Sequence, residues 1–147
     1  MDMTNAEYNE YVKKRQPKSP LVPDMLKAFA VGGLICVLGQ GLMQFYLSRE
    51  LPREDAATAV SMTLVFLGAL LTGLGVYDDI GRIAGAGTLV PITGFANSVV
   101  SPALEFKREG WVAGTAAKMF TIAGPVIVYG IGSSVAYGLI LAALHLA

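Results

Sequence analysis

Three apolar runs without a charged side chain, Ala28 to Leu47, Ala56 to Tyr77 and Met119 to Leu144, fix the solvent in which this chain folds. Each reaches the roughly 20 residues that a helix needs to cross a hydrocarbon core about 30 Å thick. Inside that core no water is available to backbone N–H and C=O groups, so a spanning segment must bond them within itself as a helix. The third run is longer than a crossing requires, which predicts a tilt or a bend, with Pro125 after Gly124 as the place for it. Apolar residues make up 54% of the 147 and charged ones only 15%. Three spans in a chain of that length leave almost no room for a separate soluble domain.

The segment between the second and third runs is of another kind. Ile83 to Leu104 carries no charge, yet ten of its 22 residues are Gly, Pro, Ser, Thr or Asn. Its centre reads "GAGTLVPITGFANS". Gly85 and Gly87 suit a helix stop, and Pro91 disfavours helical geometry at Val90, so "TLVP" is expected to be extended or turned. A new helix can begin near Thr93, and Ser101-Pro102 offers a second start, with serine as cap and proline in the first turn. "ALEFKREGW" then reads as an interfacial helix ending at Gly110, anchored by Phe106 and Trp111. Broken backbone at membrane depth is tolerated only where protein buries it or a wet cavity adjoins it. Gly85, Gly87, Pro91 and Gly94 are therefore the candidate break positions.

Charge distribution sets an expected topology. Lys13, Lys14, Arg15, Lys18 and Lys27 flank the first run, whereas the following loop, "SRELPREDA", offsets Arg49 and Arg53 with Glu50, Glu54 and Asp55. The positive-inside rule puts the N-terminus in the cytoplasm and that loop outside. If Ile83 to Leu104 crossed, Lys107 and Arg108 would emerge outside; if it dips and returns, they join Arg82 inside. Both the charge rule and the composition favour a broken or re-entrant segment over a lipid-facing span.

Residues 1–24 lack the apolar core and the cleavage site of a signal peptide. Thr4 with Glu7 fits a capping box, and Tyr8, Tyr11, Val12 and Arg15 follow at helical spacing, which predicts a short helix on the membrane surface. Pro17, Pro20 and Pro23 suggest an extended linker into the first span. The expected whole is an all-α polytopic membrane protein. Residues 1–24 form an N-terminal amphipathic interfacial helix and linker, and residues 25–147 the membrane domain, with spans near 28–47, 56–77 and 119–144. A broken, re-entrant or interfacial segment lies near 83–109.

Polar groups at membrane depth are the candidates for function. Thr93 and Asn97 stand four residues apart on one helical face, with Ser98 beside them; they suit a polar path or, equally, hydrogen bonds between helices. Gln40 and Gln44 stand one turn apart in the first span and should face a subunit or the path. Gly68/Thr72, Ala69/Gly73 and Gly110/Gly114 have small-xxx-small spacing, which packing alone explains. Lys118 lies in an apolar stretch, where it could attract an anion or snorkel to the interface. Asp78, Asp79 and Arg82 follow the second span directly and chiefly mark its cytoplasmic end; the alternative is that Asp78 and Asp79 meet calcium or pair with Arg82, and Arg82 is itself a candidate for the path. Cys36 reads as apolar filler and His145 as a tail residue. No metal-ligand set, phosphate loop, nucleotide fingerprint or nucleophile elbow is present, so enzyme chemistry and cofactors are not expected. Zero formal net charge and the lack of a basic tract argue against nucleic acid.

The stretches "KAFAVGGLICVLGQGL", "LLTGLGVYDDIGRIAGAGTLVPITGFANS" and "ALEFKREGWVAGTAAKMF" resemble the SpoVAC/SpoVAEb family of spore-forming Firmicutes. The resemblance covers nearly the whole chain and is strongest from Thr72 to Gly110. It implies a subunit of the SpoVA complex in the spore or forespore inner membrane. That complex moves dipicolinic acid, largely as its calcium chelate, inward during sporulation and outward at germination, and proteins of this kind are described as mechanosensitive channels. Implied partners are a SpoVAEb-like membrane subunit and the soluble dipicolinate-binding SpoVAD. The resemblance carries no site residue over. Three spans cannot easily enclose a path for dipicolinate, so an oligomer is implied. Two readings stay open: a subunit lining the path, or a non-conducting assembly subunit that anchors the soluble partner.

Overall fold

A computed structural model describes residues 4–15 and 20–144. Pro17, Lys18 and His145 lie outside the described residues. Helix α1 runs Asn5–Arg15, α2 Leu21–Leu47, α3 Arg53–Gly73, α4 Val76–Ala84, α5 Ala86–Leu89, α6 Ile92–Glu105 and α7 Ala117–Ala143. Three helical segments, Leu21–Leu47, Arg53–Gly73 and Trp111–Ala143, are long and apolar enough to cross a membrane. The chain is an all-α polytopic membrane protein.

The capping box forms as its chemistry requires. Thr4 N–H donates to the Glu7 carboxylate at 2.9 Å, and Glu7 N–H returns to Thr4 Oγ1 at 3.4 Å. Every residue of α1 is exposed. Arg15 stacks over the Tyr11 ring at 4.4 Å, and Lys14 pairs with Glu10 at 2.8 Å.

Two boundaries differ from expectation. Helix α2 begins at Leu21, so Pro23 lies in its first turn and not in an extended linker. The first N–H groups of a helix have no partner within it, so a proline there gives up no bond. Helix α3 ends at Gly73, four residues before the expected end of the second span. Gly75 turns the chain with φ 74°, a left-handed conformation that glycine adopts without a side-chain clash. Tyr77 therefore leaves the span and returns into the protein on α4, 5% exposed.

The central segment is broken in two places. Gly85, at φ 50° and ψ −120°, separates α4 from α5, and Pro91, extended at ψ 159°, separates α5 from α6. "TLVP" departs from its expected form. Thr88 and Leu89 complete one helical turn, and Val90 keeps helical angles because its N–H bonds Ala86 O at 3.3 Å. Only Pro91 is extended. Helix α6 also runs through Ser101-Pro102 instead of restarting there. The bond that Pro102 cannot donate is one of many, and Phe106 N–H still closes the last turn on Pro102 O at 3.0 Å. "ALEFKREGW" is accordingly no separate helix. Its first residues end α6, Lys107–Glu109 form a tight 3₁₀ turn, and Gly110 reverses the chain at φ 100°. A wide turn, Trp111–Ala116, then leads into α7.

With 14 residues, α6 rises about 21 Å, short of the hydrocarbon thickness. Its burial comes from protein: α6 packs most extensively on α3, and next on α7, while α2 covers α3, α4 and α5. Small residues allow these approaches, and the buried apolar positions include Ala56, Ala84, Ala96 and Ala123. Gly114 fits under the α6 terminus, where a methyl group would strike Phe106 O. Past Gly124, α7 leaves its neighbours, and every described residue beyond it except Leu141 is exposed.

Candidate functional site

A helix broken at Pro91 leaves carbonyls without their usual donors, and these define the site. Proline has no N–H to return to Gly87 O. That carbonyl instead meets α2 at Gly32, where a methyl group would lie 3.3 Å from it. On the same contact a methyl group at Gly87 would strike Ala28 O, so α5 rests on α2 backbone to backbone. The Tyr77 hydroxyl donates to the Thr88 carbonyl at 2.9 Å, and the Tyr77 phenol oxygen also lies 2.9 Å from Thr93 Oγ1. One side chain of α4 thus bridges both sides of the α5–α6 break. The Thr88 hydroxyl turns back to Gly85 O at 2.9 Å. Gly94 sits beneath the end of α5, where any side chain would strike Thr88 O.

A second polar pair joins α6 to α3. Thr72 Oγ1 lies 2.7 Å from Gly68 O and 2.9 Å from the Asn97 side-chain amide. A hydroxyl has one proton to give. It is placed to donate to Gly68 O or to Asn97 Oδ1, one at a time. Among the described residues, no buried side-chain polar atom lacks a partner.

Beside the break opens a cleft of about 350 Å³ lined by Tyr77, Asp78, Arg82, Thr88 and Asn97, with Gly81 and Gly85 leaving its wall bare. Arg82 pairs with Asp79 at 3.2 Å, but both side chains are largely exposed, so the pair is weak and the guanidinium can be drawn to another anion. The cleft therefore offers a positive group, a carboxylate and an amide around one cavity. That set can solvate a small charged solute without enclosing it.

The sequence candidates divide on this geometry. Arg82 and Asn97 meet in the cleft. Thr93 is buried behind it, bonded to Tyr77. Ser98 only caps locally, donating to Phe95 O at 2.7 Å. Lys118 stands 4.3 Å over the Phe106 ring at the α6–α7 turn, away from the cleft. Gln40 and Gln44 are exposed on α2, outside it as well. Gly85, Gly87, Pro91 and Gly94 shape the break itself. Tyr77 and Thr88 were not singled out from sequence. A phenol placed just past a glycine turn, with proline-broken backbone ten to fifteen residues on, was the available signal.

A model of the family described as SpoVAC/SpoVAEB sporulation membrane protein matches residues 24–140. Stage V sporulation protein AC of Bacillus subtilis (strain 168) is 50% identical over 141 residues, which cover 94% of each chain. No solved structure matches the chain.

Proposed function

The chain belongs to the SpoVAC/SpoVAEB family of sporulation membrane proteins, and from that premise we propose that it lines part of a membrane path for dipicolinic acid, free or as its calcium chelate. The observation that carries this reading is the broken segment Gly85 to Asn97. Its freed carbonyls are covered by protein, Gly87 O against Gly32 and Thr88 O by the Tyr77 hydroxyl, and it presents a charged and polar cleft in a chain with three membrane-length helices. Irregular backbone at membrane depth belongs where it borders a cavity. Dipicolinate is an aromatic dicarboxylate, and Arg82 supplies attraction while Asn97 supplies a neutral amide. On this reading the protein sits in the spore inner membrane with a cytoplasmic N-terminus. It assembles with further membrane subunits, because three spans enclose too little to surround such a solute. A tension-gated version of the path is part of the same reading.

A second reading, a non-conducting subunit that anchors a soluble dipicolinate-binding partner, draws on α1. That helix is exposed on all sides and carries Lys13, Lys14 and Arg15 in its last turn. The two readings part at the cleft. With Arg82→Gln and Asn97→Leu, we expect dipicolinate to accumulate more slowly in sporulating cells while the membrane complex stays assembled. Normal filling with an intact complex in both variants would remove the lining role and leave the anchoring one.

A further inference from the structure

Several cavities are lined by the broken segment, the charged cleft among them. Another is a groove of about 230 Å³ between α2 and α3, walled by aliphatic side chains such as Leu34, Leu38, Leu67 and Leu71. Two residues line both cavities, Tyr77 and Thr88. They are 5% and 2% exposed, and they are joined by the Tyr77 hydroxyl on the Thr88 carbonyl. The partition between the membrane-depth groove and the polar cleft is thus one hydrogen-bonded pair thick.

The elements around that pair are suited to move. Helix α5 is a single turn between a positive-φ glycine and an extended proline, and both junctions can rotate without unwinding a long helix. At Gly87 its contact with α2 is backbone against backbone, with no side chain on Gly87 to lock it. On the opposite side it is held by Tyr77, whose hydroxyl also touches Thr93 at the start of α6. Besides the three hydroxyls of Tyr77, Thr88 and Thr93, the groove lining carries no polar side chain. A polar solute leaving the cleft therefore meets only these three hydroxyls, Tyr77 foremost, as groups able to replace its water.

We propose that Tyr77 is a gate between the two cavities. With its hydroxyl on Thr88 O and Thr93 Oγ1, cleft and groove are separate; when those bonds release, the ring swings and α5 shifts, and the two become one water-accessible space. The gate regulates the path put forward above and rests on that reading.

The test separates the two claims by using two readouts on the full-length protein in proteoliposomes. In a Cys36→Ser background, Leu71→Cys places a thiol in the groove, and a membrane-impermeant charged methanethiosulfonate reports whether water reaches it. Tyr77→Phe removes both hydrogen bonds and should raise the labelling rate by at least roughly three- to tenfold, the change expected from the loss of even one buried hydrogen bond. Thr93→Val should raise it less, and Ser98→Ala, whose hydroxyl serves only Phe95 O, should leave it unchanged. If Tyr77→Phe does not assemble, Thr93→Val carries the same measurement. Labelling unchanged in the variants overturns the gate. Release of trapped dipicolinate is the second readout, and a parallel rise supports gate and path together. Faster labelling with no release from any variant keeps the gate and overturns the dipicolinate path.

Discussion

Gly68 of α3 faces the backbone of Thr93 so closely that a methyl group on it would lie 2.9 Å from the Thr93 carbonyl oxygen and 3.0 Å from its Cα. The atoms in the way are backbone, which cannot rotate aside. Gly68→Ala must therefore separate α3 from α6, the most extensive helix pair in the protein. We expect a loss of about 1–3 kcal/mol, the usual cost of overpacking, read as a lower unfolding temperature in detergent. Gly41→Ala is the control. Nothing lies within 4 Å of that position, and its stability should hold or rise slightly.

The contact between α5 and α2 is tighter still. A methyl group at Gly87 would overlap Ala28 O and lie 2.8 Å from Ala28 Cα. Gly87→Ala should displace α5 from α2 and cost more stability than Gly68→Ala, because a single-turn helix has no length over which to spread the strain. The comparison needs only the two melting temperatures measured side by side. A smaller loss for Gly87→Ala than for Gly68→Ala would mean that α5 yields freely at this contact.

Much of this arrangement is legible in sequence, for a physical reason. The absence of charge over 20 residues is a property of the run itself, so the three spans follow from hydropathy alone. The capping box is equally local. Gly85 and Pro91 mark breaks because their allowed backbone angles are intrinsic. What sequence does not carry is the long-range partner. Tyr77 continues the apolar pattern of α3, and only the turn at Gly75 shows that it folds back onto Thr88. Ser101-Pro102 has the local form of a helix start, but packing of α6 against α3 and α7 overrides it. Lys118 and Arg82 look alike as charges near membrane depth; the fold sends one to the Phe106 ring and the other to the cleft.

Lys118 provides a prediction that depends on that difference. Its ammonium lies over the face of Phe106, an attraction worth about 0.5–2 kcal/mol. Lys118→Met should lower stability modestly and leave dipicolinate accumulation unchanged, whereas Arg82→Gln should slow accumulation with little change in stability. Assaying both variants for both properties checks the assignment. Slower filling in Lys118→Met at normal complex levels would return Lys118 to the path.

The Thr72–Asn97 pair should behave as a coupled unit. Each group satisfies the other across the α3–α6 contact, at 2.9 Å. A double-mutant cycle with Thr72→Val and Asn97→Leu should give a coupling near 0.6 kcal/mol and below about 1.7, the range for hydrogen bonds between membrane helices. Zero coupling would mean that Asn97 prefers water in the cleft to its neighbour on α3.

The start of α1 should respond to acid. The Thr4 backbone N–H, with the Thr4 hydroxyl second, holds the Glu7 carboxyl below its ordinary value. A carboxyl whose value falls on folding stabilises the folded form above its unfolded pKa, and that contribution disappears as the pH falls through the lowered one. The cap should therefore be intact at neutral pH and weaken in the acid range, with fraying from Thr4 inward. Amide resonances of Thr4 and Glu7 in the full chain in micelles give the measurement. Their shifts should titrate together at a midpoint below the ordinary value of a free glutamate side chain. In Glu7→Gln, whose side chain has no carboxyl to titrate, the Thr4 resonance should stay flat across the same range. A Thr4 shift that still titrates in that variant would assign the effect to another carboxylate.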